Sequence, residues 1–203
     1  MAANSPRGFV EHRNLGGAVH TSTRLRRVKA NGDSGTHQKF AGDPVVLVSG
    51  NTVARVVDVL SAAGMPILGV IRAVYDDSTY PGIRPKTHSL PSGGNFIPAS
   101  TAGWVDVNED PHQTYLVNAD VTVVSTLIGQ FVGITAFSPN TAAARSGFVI
   151  EVSGASNTAA TVLPFQVIGI GANNLDGIVG GVNAQDVEVI IADHIWHSTN
   201  KAR

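Results

Sequence analysis

Residues 163–196 read LPFQVIGIGANNLDGIVGGVNAQDVEVIIADHIW. Two apolar runs, Phe165–Ile170 and Val187–Ala192, are each six residues long and rich in Val and Ile. That is the length and composition of a strand. In the second run Val187, Val189 and Ile191 share one face by the two-residue period, while Glu188, Ile190 and Ala192 share the other. The link from Gly171 to Asp186 carries Asn173, Asn174, Asp176 and several glycines. It is too long for a tight hairpin and predicts a surface excursion. The block reads as two strands that finish a β-structure and display a long loop.

Outward from this block the same texture recurs. Strands are predicted at Val45–Val48, Thr52–Val59, Ile67–Ile71 with an extension toward Tyr75, Trp104–Val107, Tyr115–Val124, Gly129–Ala136 and Gly147–Val152. The clearest alternation is Tyr115, Val117, Ala119, Val121 and Val123 against Asn118, Asp120 and Thr122. This pattern predicts that Val121, Ile168, Val189 and Ile191 are buried. Residues 76–100 hold Pro81, Pro85, Pro91 and Pro98 among repeated glycines and read as a long loop. Ser138–Arg145 is Ala-rich and predicts one helical turn. Short strands with turn signals between them, and no long helical pattern, predict an all-β chain: a single β-barrel or β-sandwich domain with long loops.

Charge divides the chain unevenly. Residues 1–43 hold seven Lys/Arg against three acids, and residues 44–203 hold seven against twelve. The first segment lacks periodic apolar pattern, so residues 1–39 are predicted to be an extended basic N-terminal arm, residues 40–197 the β domain, and residues 198–203 a C-terminal tail. Such an arm fits a disordered tail, a segment ordered on a partner, or a nucleic-acid tail. Ordering on a partner is the reading taken, with Phe9, Leu15 and Leu25 filling apolar niches and Arg24, Arg26 and Arg27 meeting acidic groups. No aromatic side chains interleave with those arginines to stack on bases, and the formal net charge is −1, so no direct nucleic-acid contact is expected.

Composition narrows the function classes. Charged residues make up 14% of the chain against the usual ~25%. A surface so poor in charge suits a protein that lives inside an assembly. There is no cysteine, hence no disulfide framework or thiolate chemistry. No apolar run is long enough to cross a membrane as a helix, and no apolar leader follows Met1-Ala2-Ala3.

No catalytic, cofactor-binding or metal constellation is expected. Gly169-Ile170-Gly171 lacks the third glycine and helix of a dinucleotide loop, and Gly177–Gly181 lacks the Lys-Ser/Thr ending of a phosphate loop. His194 and His197 end a strand and read as surface histidines rather than metal ligands. Glu109 and Asp110 are neighbours in a turn before Pro111, where two carboxylates do not face each other across a substrate. No Gly-x-Ser-x-Gly elbow occurs. Trp104 and Trp196 leave open a glycan-binding β-sandwich as one alternative function.

The order of features resembles a family of small β-barrel decoration (cement) proteins on the heads of tailed bacteriophages. The segments that carry the likeness are Gly42-Asp43-Pro44-Val45, Ile67-Leu68-Gly69-Val70, Pro98-Ala99-Ser100 with Trp104, Glu109-Asp110-Pro111 with Tyr115, and Ile128-Gly129. The closing ones are Val167-Ile168-Gly169-Ile170, Asn173-Asn174 and Val187-Glu188-Val189-Ile190-Ile191-Ala192-Asp193-His194. The likeness covers residues 40–197; the basic arm and the stretch Tyr80–Asn95 are longer than the family's usual pattern. It implies a non-enzymatic virion protein on the outer surface of the capsid, made in the host cytoplasm. Its implied partners are the major capsid protein and neighbouring copies of itself. Another virion component, a head-fibre base or tail-associated β protein, is the other alternative.

Overall fold

The computed structural model describes residues 8–16, 23–28, 38–49, 52–55, 66–76, 96–121, 123–136, 139, 141, 146–157, 163–170 and 186–195. In chain order the elements are β1 (Val10–Asn14), β2 (Thr23–Val28), β3 (Lys39–Phe40), β4 (Pro44–Ser49), β5 (Thr52–Arg55), β6 (Ile67–Asp76), β7 (Phe96–Ile97) and β8 (Gly103–Asn108). After β9 (Gln113–Asn118) comes a single 3-10 turn, Ser125–Leu127, followed by β10 (Phe131–Ala136), β11 (Phe148–Ser156), β12 (Phe165–Ile170) and β13 (Asp186–Ile191). The chain is all-β, as its sequence predicts.

The two strands of residues 163–196 form as read. β12 and β13 pair antiparallel from Phe165↔Ile191 to Ile170↔Val187. They lie at the centre of a six-stranded sheet ordered β1-β9-β13-β12-β10-β11. Its inner face collects the period-two residues of each strand: Tyr115 and Val117; Val187, Val189 and Ile191; Phe165 and Val167; Val132 and Ile134; Phe148 and Ile150. The sheet curls strongly. Asp120 N donates to Ile150 O at 2.9 Å, and Ala119 bridges Ile150, so the end of β9 meets edge strand β11.

The second sheet runs β2-β5-β4-β6-β8 and closes through β2. β2 lies antiparallel along β8 from Thr23↔Asn108 to Val28↔Gly103, and meets β5 in parallel at Arg27↔Thr52. Val28, Val45, Val53, Leu68, Ile71, Val105 and Val107 fill its interior. Strands β4, β5 and β6 are apolar on both faces. Val46, Ala54, Ile67 and Val70 turn outward and join the core of the six-stranded sheet. That explains the unbroken apolar run at Ile67–Ile71, since strands covered on both faces do not alternate. β6 approaches β8 so closely that a Cβ on Gly69 would lie 2.0 Å from the Asn108 carbonyl oxygen, so only glycine fits there.

Several expectations are corrected. The segment 1–39 is not wholly an arm apart from the fold: β1 is an edge strand of one sheet and β2 closes the other. The alternation at Tyr115–Ala119 continues inward as read, but the strand stops at Asn118 and the chain turns toward β11. Val121 is therefore 41% exposed, while Val189 and Ile191 are buried and Ile168 is half-buried. His194 is fully buried and bridges Ile67, so it is not a surface histidine. Phe96–Ile97, read as loop, pairs with Lys39–Phe40 as a two-stranded ribbon. Most of the predicted helical turn at 138–145, the link 171–185, Trp196, His197 and the tail 198–203 lie outside the described residues.

Candidate functional site

The N-terminal strands bring together the charged and polar side chains that could form a site. Phe9 anchors them. Gly8 precedes it with φ +69°, and a Cβ there would sit 2.4 Å from Ser146 Cβ, so the backbone passes where only glycine fits. Phe9 N donates to Gly42 O at 3.0 Å. Its ring stacks on Phe165 with centroids 4.7 Å apart and meets Tyr115 edge-on at 6.1 Å. Phe9 thus occupies a core niche of its own chain.

Tyr115 is fully buried, and its hydroxyl finds no hydrogen-bond partner among the described residues. Burial pushes its pKa well above the ordinary value, with the charges of Glu11 and Asp110 pushing the same way. At β1 the cross-strand partner of Tyr115 is Glu11. Asn108 Nδ2 donates to Glu11 Oε1 at 2.8 Å and so joins β1 to the closed sheet.

Arg13 crosses over β9 to reach β13. Its Nε and Nη2 donate to Glu188 Oε1 and Oε2 at 2.6 and 2.9 Å, and Thr114 Oγ1 donates to Glu188 Oε1 at 2.9 Å. His12 Nε2 lies 3.9 Å from the same carboxylate. A Cβ on Gly169 would lie 3.0 Å from Glu188 Oε2. The glycine that resembles part of a nucleotide loop therefore makes room for a carboxylate.

Arg26 and Glu109 form a buried fork-to-fork pair. Arg26 Nε donates to Glu109 Oε1 and Nη2 to Oε2, the latter at 2.8 Å. Arg24 Nε stands 3.8 Å from Glu109 but is itself exposed. Bidentate geometry is what makes such a pair hold a register as well as a charge. Of the six residues predicted to contact a partner, Phe9 and Arg26 are engaged within the chain. Leu15 and Arg24 are exposed. Leu25 and Arg27 have their backbones in β2, and their side chains lie outside the described set. The sequence marked the arginines but not their acids, because Glu109 and Glu188 sit 83 and 175 residues away from their partners.

Two surface features remain. One is a cleft of about 330 Å³ between β1 and β6, with Phe9, Val10, Val70 and Ile71 as apolar lining and Glu11 and Arg72 as charged lining. Asp106, across from Ala73 on β8, carries a pKa raised chiefly by burial and opposed by Arg72 and a hydrogen bond with Thr23. The other is the connection between β9 and β10. There Val123 and Leu127 are buried while Val121, Val124 and Ile128 stand 41%, 59% and 50% exposed. The chain from Val121 to Ala144 contains no charged residue.

Among the described residues no helix is long and apolar enough to cross a membrane. No protein-family model matches this chain, and no curated protein or solved structure is similar to it at a significant level.

Proposed function

We propose that this chain is a structural virion protein. It binds the outer surface of a tailed-phage head and strengthens the shell by bridging neighbouring copies of the major capsid protein. It acts by contact rather than catalysis, and its place is the outside of the particle. The observation that carries the reading is the exposed β9–β10 connection. Val121, Val124 and Ile128 project from a segment that Val123 and Leu127 pin to the core, within a stretch that carries no charge. Exposed apolar side chains on a stretch without charge suit a protein contact, because no charge of that stretch is desolvated on docking. The low overall charge and the ordered likeness to head decoration proteins support the same reading.

The site differs from the one the sequence suggests. Phe9 and Arg26 are committed inside the fold, so the contact is assigned to the β9–β10 connection, with exposed Leu15 and Arg24 beside the first strands as secondary contacts. The test is co-sedimentation of purified chain with expanded empty heads. Val124→Asp and Ile128→Asp place a charge in the contact and should weaken binding about tenfold or more. Val48→Asp, at an exposed apolar position on β4, should leave binding unchanged. Undiminished binding by both connection variants would remove this surface from the contact, and absence of binding by the parent chain would end the proposal.

A further inference from the structure

We infer that the cleft between β1 and β6 binds a small zwitterion with an apolar body, of the class of a free apolar α-amino acid or a short apolar peptide. This is independent of shell binding. The cleft's volume, about 330 Å³, lies at the small end of ligand sites. Val10, 41% exposed, offers the accessible apolar side chain, and the nearly buried Phe9, Val70 and Ile71 back the cleft from the core. Its two charged lining residues have opposite sign and do not satisfy each other. Glu11 Oε1 accepts from Asn108 Nδ2 at 2.8 Å, and Glu11 makes no ion pair among the described residues. Arg72 is exposed and makes no hydrogen bond or ion pair there; the Asp106 carboxylate attracts it only through space. A Glu and an Arg that share one apolar cleft without pairing match a ligand that brings its own ammonium and its own carboxylate. The ammonium goes to Glu11 and the carboxylate to the fork of Arg72, where two parallel hydrogen bonds form.

The cleft is also preorganised. Phe9 is fixed by Gly42 O and by two aromatic neighbours, and Glu11 is fixed by Asn108, so binding orders few groups.

The experiment is titration of the full chain at low salt, followed by isothermal calorimetry and by chemical-shift changes. The probes are leucine, Leu-Leu, 3-methylbutylamine, which lacks the carboxylate, and 4-methylpentanoate, which lacks the ammonium. Leucine or Leu-Leu should bind, and each single-charge analogue should bind about tenfold more weakly or worse. The tighter of the two zwitterions decides between free amino acid and peptide. Arg72→Gln should erase the advantage of leucine over the amine, and Glu11→Gln its advantage over the acid, both with an unchanged far-UV circular dichroism spectrum. Should Glu11→Gln unfold the chain, Arg72→Gln at its exposed position carries the test alone. No binding of either zwitterion at millimolar concentration, or equal binding of zwitterion and amine, would overturn the inference.

Discussion

At the scale of single residues, burial separates positions that look alike in sequence. Ile191 is 4% exposed in the core of the six-stranded sheet, so Ile191→Ala should cost roughly 2–5 kcal/mol in urea unfolding. Val121 shares the apparent strand pattern but faces solvent, and Val121→Ala should stay within about 0.5 kcal/mol. Equal costs would mean that the chain does not turn at Asn118. Arg26→Ala should be among the costly changes, about 3–5 kcal/mol, because it leaves Glu109 buried without its partner. Replacing both residues with apolar ones of similar size should recover much of that loss, since the pair's desolvation cost disappears with it. Asp106 offers a pH test. Its folded pKa is raised, so the folded state binds more protons than the unfolded one between the ordinary Asp value and the raised one. Stability from this group is therefore present at low pH and is lost as pH rises through that window. Asp106→Asn should flatten the stability profile there, and an unchanged slope would contradict the assignment.

Strands that bury an apolar face were legible in the sequence; strands that bury charge were not. Ile67–Ile71, Phe165–Ile170 and Val187–Ile191 announce themselves through Val and Ile. Thr23–Val28 reads TRLRRV, and its inward Arg26 is masked by a partner 83 residues away. Val10–Asn14 reads VEHRN, an edge strand whose Arg13 bonds across β9 to Glu188 and whose Glu11 bonds to Asn108 of β8. Such charges are also a common protection of sheet edges against pairing with other chains. The opposite edge uses a side chain: Asp120 Oδ1 accepts Val152 N at 2.8 Å, covering part of β11. Asp120→Ala should cost about 0.5–1.5 kcal/mol and increase self-association in sedimentation velocity. The exposed apolar residues of the β9–β10 connection were illegible for a similar reason. Val121 and Val123 continue the alternation of β9, and nothing local marks where the strand stops. Deleting residues 1–39 removes β1, β2 and the Phe9 plug, so the truncated chain should lose its cooperative thermal transition. A truncation that melts like the full chain would show that the first strands only decorate the fold.

At the scale of the molecule, strands β4–β6 of the closed sheet turn their outer faces into the core of the six-stranded sheet, and the N-terminal segment ties the two sheets through Phe9 and Glu11–Asn108. Under the proposed function the chain stabilises the shell as well as attaching to it. A protein that binds the assembled shell and bridges its subunits shifts the shell's own disassembly by mass action, and several weak contacts to one particle add through effective concentration. The most direct measurement is calorimetric melting of expanded empty heads with and without a saturating amount of this chain. The shell transition is expected at higher temperature when the chain is bound, and to return to its undecorated value with Val124→Asp/Ile128→Asp. A shell transition that does not move while the chain is demonstrably bound would contradict it.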